Sequence, residues 1–319
     1  MKIEQLYMAK HWEHFKDGCT AVSRTIPYSD PTAPVFFYST WAIAHILDNH
    51  KGPAIIIVNS DPRLVEHHLD KIKLRNNIYF ISTSHLISNY LDELKLKYIE
   101  FPFDLPNRTD ITPDKKGNSI YFYGQDSTDN LYGYSVIKRI VEEHFPHLNI
   151  ICTKFKLPGV EDHPPFKPYS KSELDDVYKK CFIGVRLTQF DGLSATVQDL
   201  GVRGIKTIWN GGSPSSLPYY SEEDIINHIR NEEKLIGQTD LALSNSVKLF
   251  LNQDNKKYDY VFDLDFHKEN ALNVHSTTAP RLFKNPYKIP FVSYDYIYHN
   301  RFDLRIPITV KEIIKWKTQ

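Results

Sequence analysis

Two carboxylates, Asp191 and Asp199, stand eight positions apart in the stretch GVRLTQFDGLSATVQDLGVRG, residues 184–204. Gly192 follows the first acid directly, and the apolar run Ile183–Leu187 reads as a short buried strand before it. From Ser194 to Val202 the pattern reads as a helix. Small residues at the carboxyl end of a strand, directly before a helix, leave backbone N–H groups aimed at a ligand. The helix N-terminus adds a partial positive charge, so Gly192, Leu193 and Ser194 form a corner suited to phosphate. Asp191 would repel a phosphate, but it fits beside a polyhydroxyl group whose hydrogen bonds it accepts. Asp199, about five residues into the helix, lies roughly 7–8 Å along its axis. That distance reaches a ribose while the first turn holds a diphosphate. Sugar, diphosphate and ribose in sequence describe a nucleotide sugar. The same spacing also admits a plainer reading, with Asp191 capping the helix and Asp199 a solvated surface acid.

The elements that must position these residues alternate along the chain. PVFFYST, AIIIVNSD, IYFIST and KYIEFPFD read as strands, separated by helical segments that include Leu64–Ile72 and HLISNYLDEL, the latter capped by Ser84. The polar stretch 105–118, LPNRTDITPDKKGN, reads as a linker or long loop. A second alternating series follows: strands SIYFYG, LNIICTKF, Phe182–Leu187 and IKTIW, with helices between them. Ser170 with Glu173, and Ser221 with Asp224, mark helix starts. Strands alternating with helices imply parallel, doubly wound sheets. The expected fold is therefore α/β, with two Rossmann-like domains facing a cleft. The expected divisions are an acceptor-side domain over 1–113, a donor-side domain over 114–239, and an extension over 240–319 that packs back across both. Open parallel sheets bind ligands beyond the carboxyl ends of their strands, which is where Asp191–Ser194 falls.

The stretch VRLTQFDGLSATVQDLGVRGIKTIWN resembles the donor-binding domain of GT-B glycosyltransferases. It is most like the large retaining family with a Glu-x7-Glu motif (glycosyltransferase group 1, family 4-like). Here both acids are Asp at the same spacing. The resemblance runs over 119–235, is architectural over 34–104, and stops near 240. It implies sugar transfer from a nucleotide-diphosphate sugar of UDP or GDP type to an unknown acceptor, with retention of configuration. It implies that Asp191 contacts the donor sugar, the catalytic position. Gly192, Leu193 and Ser194 would hold the diphosphate and Asp199 the ribose, with Gly124, Gln125, Arg186 and Thr188 completing the donor site. The family usually has an Arg and a Lys in the loop after the first strand of this domain. This chain has Gln125 and Leu131 or Tyr132 there, and Arg186 is the cation that a neighbouring strand offers instead.

Outside this stretch, His85 follows IYFIST at the carboxyl end of its strand. It reads as an acceptor or sugar contact, or as an ordinary first-turn histidine. Gly211, Gly212 and Ser213 follow the strand IKTIW and could line the same cleft. His11, His14, His67 and His68 match no ligand pattern, and no metal or cofactor is expected, since helix dipole and backbone donors suffice at the phosphates. No GxSxG, HExxH or P-loop is present. With 39 basic and 39 acidic residues the formal charge is zero, which gives no reason to expect a nucleic-acid partner. Three widely spaced cysteines, no signal-peptide pattern and no apolar run near 20 residues point to a cytoplasmic protein without a transmembrane segment. The expected partners are a nucleotide sugar and a glycan, glycoconjugate or other hydroxyl acceptor. The competing reading is a catalytically silent GT-B-like protein that binds nucleotide sugars. A nucleotide-sugar epimerase or phosphorylase on the same fold ranks behind both, because a phosphorylase needs more positive charge for free phosphate.

Overall fold

The apolar run Ala54–Val58 is buried along its whole length, and its side chains divide between two cores. Ala54, Ile56 and Val58 enter one and Ile55 and Ile57 the other. A strand apolar on both faces belongs in a parallel sheet covered on both sides. The computed structural model describes residues 3, 5–7, 26–37, 40, 43–59, 62–101, 110–123, 132–152, 171–188, 191–251 and 261–270.

The first unit holds strands β1 (Gln5–Tyr7), β2 (Ile26–Pro27), β3 (Val35–Phe37), β4 (Ala54–Val58), β5 (Ile78–Ser82) and β6 (Tyr98–Glu100). They pair in the order β2-β1-β3-β4-β5-β6, all parallel. Helices α1 (Ile43–Asn49), α2 (Arg63–His67), α3 (Leu69–Lys73) and α4 (His85–Glu93) supply Ile43, Ile46, Leu64, Val65, Ile72, Ile87 and Leu91 to one face. The single helix expected over Leu64–Ile72 is two short ones. His68, at φ −107° and ψ 14°, leaves helical geometry between them. Ser84 caps α4 as expected, its hydroxyl accepting from the Ile87 amide at 3.3 Å.

The second unit holds β7 (Ser119–Phe122), β8 (Asn149–Cys152), β9 (Cys181–Val185), β10 (Lys206–Ile208) and β11 (Ser216–Leu217), ordered β11-β10-β9-β7-β8 and again all parallel. Helices α5 (Tyr134–His144) and α8 (Glu222–Glu233) cover one face through Val136, Ile137, Ile140, Ile225 and Ile229. The other face carries α6 (Lys171–Tyr178) and α7 (Ala195–Val202), which bring Tyr178 and Leu200 against Tyr121. The capping box of Ser221 and Asp224 is present at the start of α8. Ser170 and residues 105–109 lie outside the described residues. Residues 110–118 run beside the second sheet. Buried Lys116 meets Glu232 of α8 at 2.6 Å there, and Gly117 donates to the Cys181 carbonyl.

Past Asp240 the chain serves both units. Helix α9 (Leu241–Leu251) packs Leu243, Val247 and Leu251 against Val202 of α7, and the Ser244 hydroxyl donates to the Val202 carbonyl at 2.6 Å. Val261, Phe262 and Leu264, the last of which opens α10 (Leu264–Asn270), close the second face of the first sheet against Phe36, Ile55 and Ile81.

Candidate functional site

In the second sheet β7 runs first, β8 is laid on one side of it and β9 on the other. The chain direction therefore switches between β7 and β9, and the crevice beyond their carboxyl ends is where an open parallel sheet binds ligands. The residues that open into that crevice are Tyr123, just after β7, and Arg186, just after β9. The Arg186 amide donates to the Ile208 carbonyl at 3.0 Å, which fixes the backbone beneath the side chain.

The Arg186 side chain is 7% exposed and is held from three directions. Its guanidinium lies over the Tyr123 ring at 4.0 Å from the centroid and over the Tyr132 ring at 4.8 Å. The two rings meet edge-on at 5.1 Å. Its Nε donates to the Asp191 carboxylate. Burial works against the charge on Arg186, but the Asp191 carboxylate outweighs it and holds the guanidinium protonated. Burial pushes the Tyr132 hydroxyl well above the usual tyrosine range, so it stays neutral beside the cation. Nη1 of Arg186 is buried and makes no hydrogen bond. A guanidinium offers five N–H groups in a planar fork, and this one reaches the switch point with capacity to spare.

The loop that carries Asp191 is wedged against the first unit. The Ser84 hydroxyl donates to the Asp191 carbonyl at 2.5 Å while also capping α4. A Cβ at Gly192 would sit 2.5 Å from the Asn59 carbonyl oxygen and 2.8 Å from the Thr83 hydroxyl, so only glycine allows this approach. Asn59 follows β4 and Thr83 follows β5, which puts the carboxyl ends of the two sheets edge to edge. The His85 amide donates to the Gly211 carbonyl at 3.1 Å, and the His85 ring lies against Gly212, whose φ is +84°.

Of the residues the sequence singled out, Arg186, Asp191, Gly192 and His85 meet at this junction. Thr188 is buried beside them in the chain. Ser194 is the N-cap position of α7, but its side chain makes no capping bond there. Leu193 packs with Leu86, Val197 and Trp209 beneath the loop. Asp199 has other neighbours. It is half-buried on α7, its carbonyl accepts from Arg203, and its charge acts on the Tyr178 hydroxyl at the end of α6. Gly124 and Gln125 lie outside the described residues. Asp191 is not the cap of α7, and its carboxylate is engaged by Arg186.

Two residues the sequence reading did not name, Tyr123 and Glu100, complete the junction together with Tyr132, which it had noted only as standing in the place of a basic residue. Tyr123 and Tyr132 flank Arg186, and Glu100 faces His85 at 3.2 Å. Their signal was position: Tyr123 and Glu100 each stand at or just past the carboxyl end of a strand, the edge where α/β sheets collect ligands. Among the described residues no three His, Cys, Asp or Glu side chains converge as a metal site. No described helix is long and apolar enough to cross a membrane.

No protein-family model and no curated protein matches the chain. Solved structures similar in fold include sucrose-phosphate synthase from Thermosynechococcus elongatus, at 10% identity and a TM-score of 0.49 over 69% of each chain. Another is S. aureus TarM, a mutant solved with fondaparinux, alpha-GlcNAc-glycerol and UDP. It is 8% identical, with a TM-score of 0.46 over 75% of this chain and 55% of that one. The GtfA/B complex is 10% identical with a TM-score of 0.42, over 70% of this chain and 57% of that one. The chain thus spans little more than half of the TarM and GtfA/B chains. Among the described residues the chain holds two all-parallel α/β sheets whose carboxyl edges come together at Gly192.

Proposed function

We propose that the chain is a glycosyltransferase that moves a sugar from a nucleotide-diphosphate sugar, of UDP or GDP type, to a hydroxyl acceptor. The observation that carries this reading is Arg186: a buried, permanently charged guanidinium at the switch point, with Nη1 unbonded and aromatic rings on its faces. A diphosphate leaving group needs a cation, and Arg186 supplies the charge that the loop after β7 lacks. In this reading the guanidinium neutralises the departing diphosphate, assisted by the backbone of Gly192, Leu193 and Ser194 and the helix dipole of α7. Gly124, Gln125 and Thr188 line the donor side, and Asp199 accepts from the ribose. Asp191 holds the sugar through one carboxylate oxygen while Arg186 orients the other. Resident metal has no part in the scheme, and the family resemblance gives retention of configuration.

A second reading has one observation in its favour. Asp191 is already paired with Arg186, and the loop behind it is packed on Asn59 and Thr83. That arrangement suits a protein that binds a nucleotide sugar without turning it over. A thermal-shift screen of nucleotides and nucleotide sugars, followed by a nucleotide-release assay on those that bind, separates the two. A ligand at 100 times its Kd adds about 2.7 kcal/mol of stability. Binding with release supports the transferase, binding without release the silent protein, and no binding by any nucleotide contradicts both.

A further inference from the structure

Three consecutive residues at the start of α4 reach from the first unit to the second. The Ser84 hydroxyl donates to the Asp191 carbonyl at 2.5 Å. The His85 amide donates to the Gly211 carbonyl at 3.1 Å. Leu86 is buried with Val197 and Trp209 of the second unit. One helix start thus holds the loops that follow both β9 and β10. Ser84 is itself held. A serine hydroxyl has one proton to give and lone pairs to accept with. Its proton goes to Asp191, and a lone pair takes the Ile87 amide at 3.3 Å. The Ser84 carbonyl accepts from the Ser82 hydroxyl and from the Ser88 amide, both at 2.9 Å. Ser84 is buried, so an alanine there leaves the Asp191 carbonyl short of a partner. A peptide unit is planar, so a bond to its oxygen fixes the plane in which the chain leaves Asp191. Asp191 is therefore gripped twice: its carboxylate by Arg186 of the second unit, its main chain by Ser84 of the first.

We propose that Ser84 is a positioning residue for the donor sugar: by holding the Asp191 main chain, the first unit sets the angle at which Asp191 of the second unit meets the sugar. The assignment rests on the transferase reading above and divides the donor between the units. The nucleotide is bound by groups of the second unit alone. The sugar contact is completed only where α4 is docked on the loop after β9. Ser84 touches no reacting atom in this scheme and acts through Asp191.

The test compares wild type, Ser84→Ala, Ser84→Thr and Ser221→Ala in two measurements. One is the Kd for bare UDP and GDP. The other is nucleotide release from UDP-glucose, UDP-N-acetylglucosamine and GDP-mannose, with water as acceptor. Ser221 caps α8, its hydroxyl accepting from the Asp224 amide at 3.2 Å. Its alanine variant therefore matches the loss of a helix cap, in a helix that does not hold the Asp191 loop. Both alanine variants are expected to melt at a lower temperature than wild type. Ser84→Ala is expected to lower kcat by about tenfold or more, because a displaced contact is costly at the reacting centre. Its Kd for bare nucleotide is expected within about twofold of wild type. Ser221→Ala is expected within about twofold of wild type in both measurements. Ser84→Thr, which keeps the hydroxyl, is expected to release faster than Ser84→Ala. A kcat for Ser84→Ala within about twofold of that for Ser221→Ala overturns the proposal. So does a bare-nucleotide Kd that weakens in Ser84→Ala as much as kcat falls, since the whole donor site is then disturbed. A wild type that releases nucleotide from none of the three donors contradicts the transferase reading itself, and this assignment falls with it. That result is seen before any variant is made.

Discussion

Arg186 and Asp191, five residues apart on the strand end and loop after β9, form a buried ion pair in which the Arg186 Nε donates to the Asp191 carboxylate. The pair sits at the point where the second sheet reverses direction and against the turn that follows β5 of the first. It ties the loop after β9 to the strand end and so to the stability of the fold.

Removing Asp191 is therefore costly. Asp191→Ala leaves a buried guanidinium with its partner gone, a change that costs about 3–5 kcal/mol. The double variant Arg186→Met with Asp191→Leu removes both charges and is expected to recover most of that loss. Urea denaturation checks both. An Asp191→Ala loss under about 0.5 kcal/mol would show that water reaches the pair and screens it.

Nucleotide affinity separates the two ends of the donor. Arg186→Lys keeps the charge but loses the planar fork and the ring stacking, and is expected to weaken UDP or GDP binding at least about tenfold, about 1.4 kcal/mol. Asp199→Ala is expected to weaken the bare nucleotide as much as the full donor, by about 1.5–3 kcal/mol, if its carboxylate holds ribose. Calorimetric titration measures both. Unchanged affinity in Asp199→Ala would leave it with the Tyr178 and Arg203 cluster alone.

Much of this fold was legible in the sequence, because buried parallel strands declare themselves as apolar runs. AIIIV became β4 and IYFIS became β5, and Ser84 and Ser221 cap the helices where their spacing placed them. Of the candidate residues, position at a strand end pointed to Asp191, Gly192 and His85, and the fold brings these together with Arg186. Partnership was not legible: no local pattern tells that Arg186 turns back on Asp191, that Tyr123 and Tyr132 enclose it, or that Glu100, 15 positions from His85, faces it. Those contacts arise from the order in which strands are laid into the sheets. Asp191 also looked like a helix cap, and the chain gives that position to Ser194.

Gly192 tests the closeness of the two units. Gly192→Ala places a methyl group against the Asn59 carbonyl and the Thr83 hydroxyl. Backbone cannot yield as a side-chain tip does, so the sheets must separate there at a cost of about 1–3 kcal/mol. Small-angle scattering is expected to show a larger radius of gyration together with the lower melting temperature. Gly237→Ala is the control, since its Cβ meets nothing within 4 Å, although its φ of +79° brings local strain. Equal scattering curves for wild type and Gly192→Ala would contradict the packing described.

The His85–Glu100 pair predicts a pH window. Its hydrogen bond to Glu100 raises His85 above the ordinary 6.5, against partial burial. Burial pushes Glu100 up, but the hydrogen bonds from His85 and Ser88 outweigh it and leave its carboxyl below the ordinary 4.5. The histidine's contribution to stability is complete below 6.5 and is lost as pH rises through its folded value. The carboxylate's is complete above 4.5 and is lost as pH falls through its folded value. The melting-temperature difference between wild type and Glu100→Gln is therefore expected to be largest between pH 4.5 and 6.5 and to shrink towards pH 8. A difference constant with pH would show that Glu100 acts only by packing.

Whether Arg186 serves the diphosphate of a sugar donor is decided by nucleotide release from a panel of UDP- and GDP-sugars, measured for wild type and Arg186→Lys side by side. Saturable release by the wild type from at least one donor, competed by the matching free nucleotide, is expected. Release by Arg186→Lys is expected to be at least about tenfold slower at equal fold stability. Equal rates in the two proteins, or no binding and no release with any donor, would contradict it.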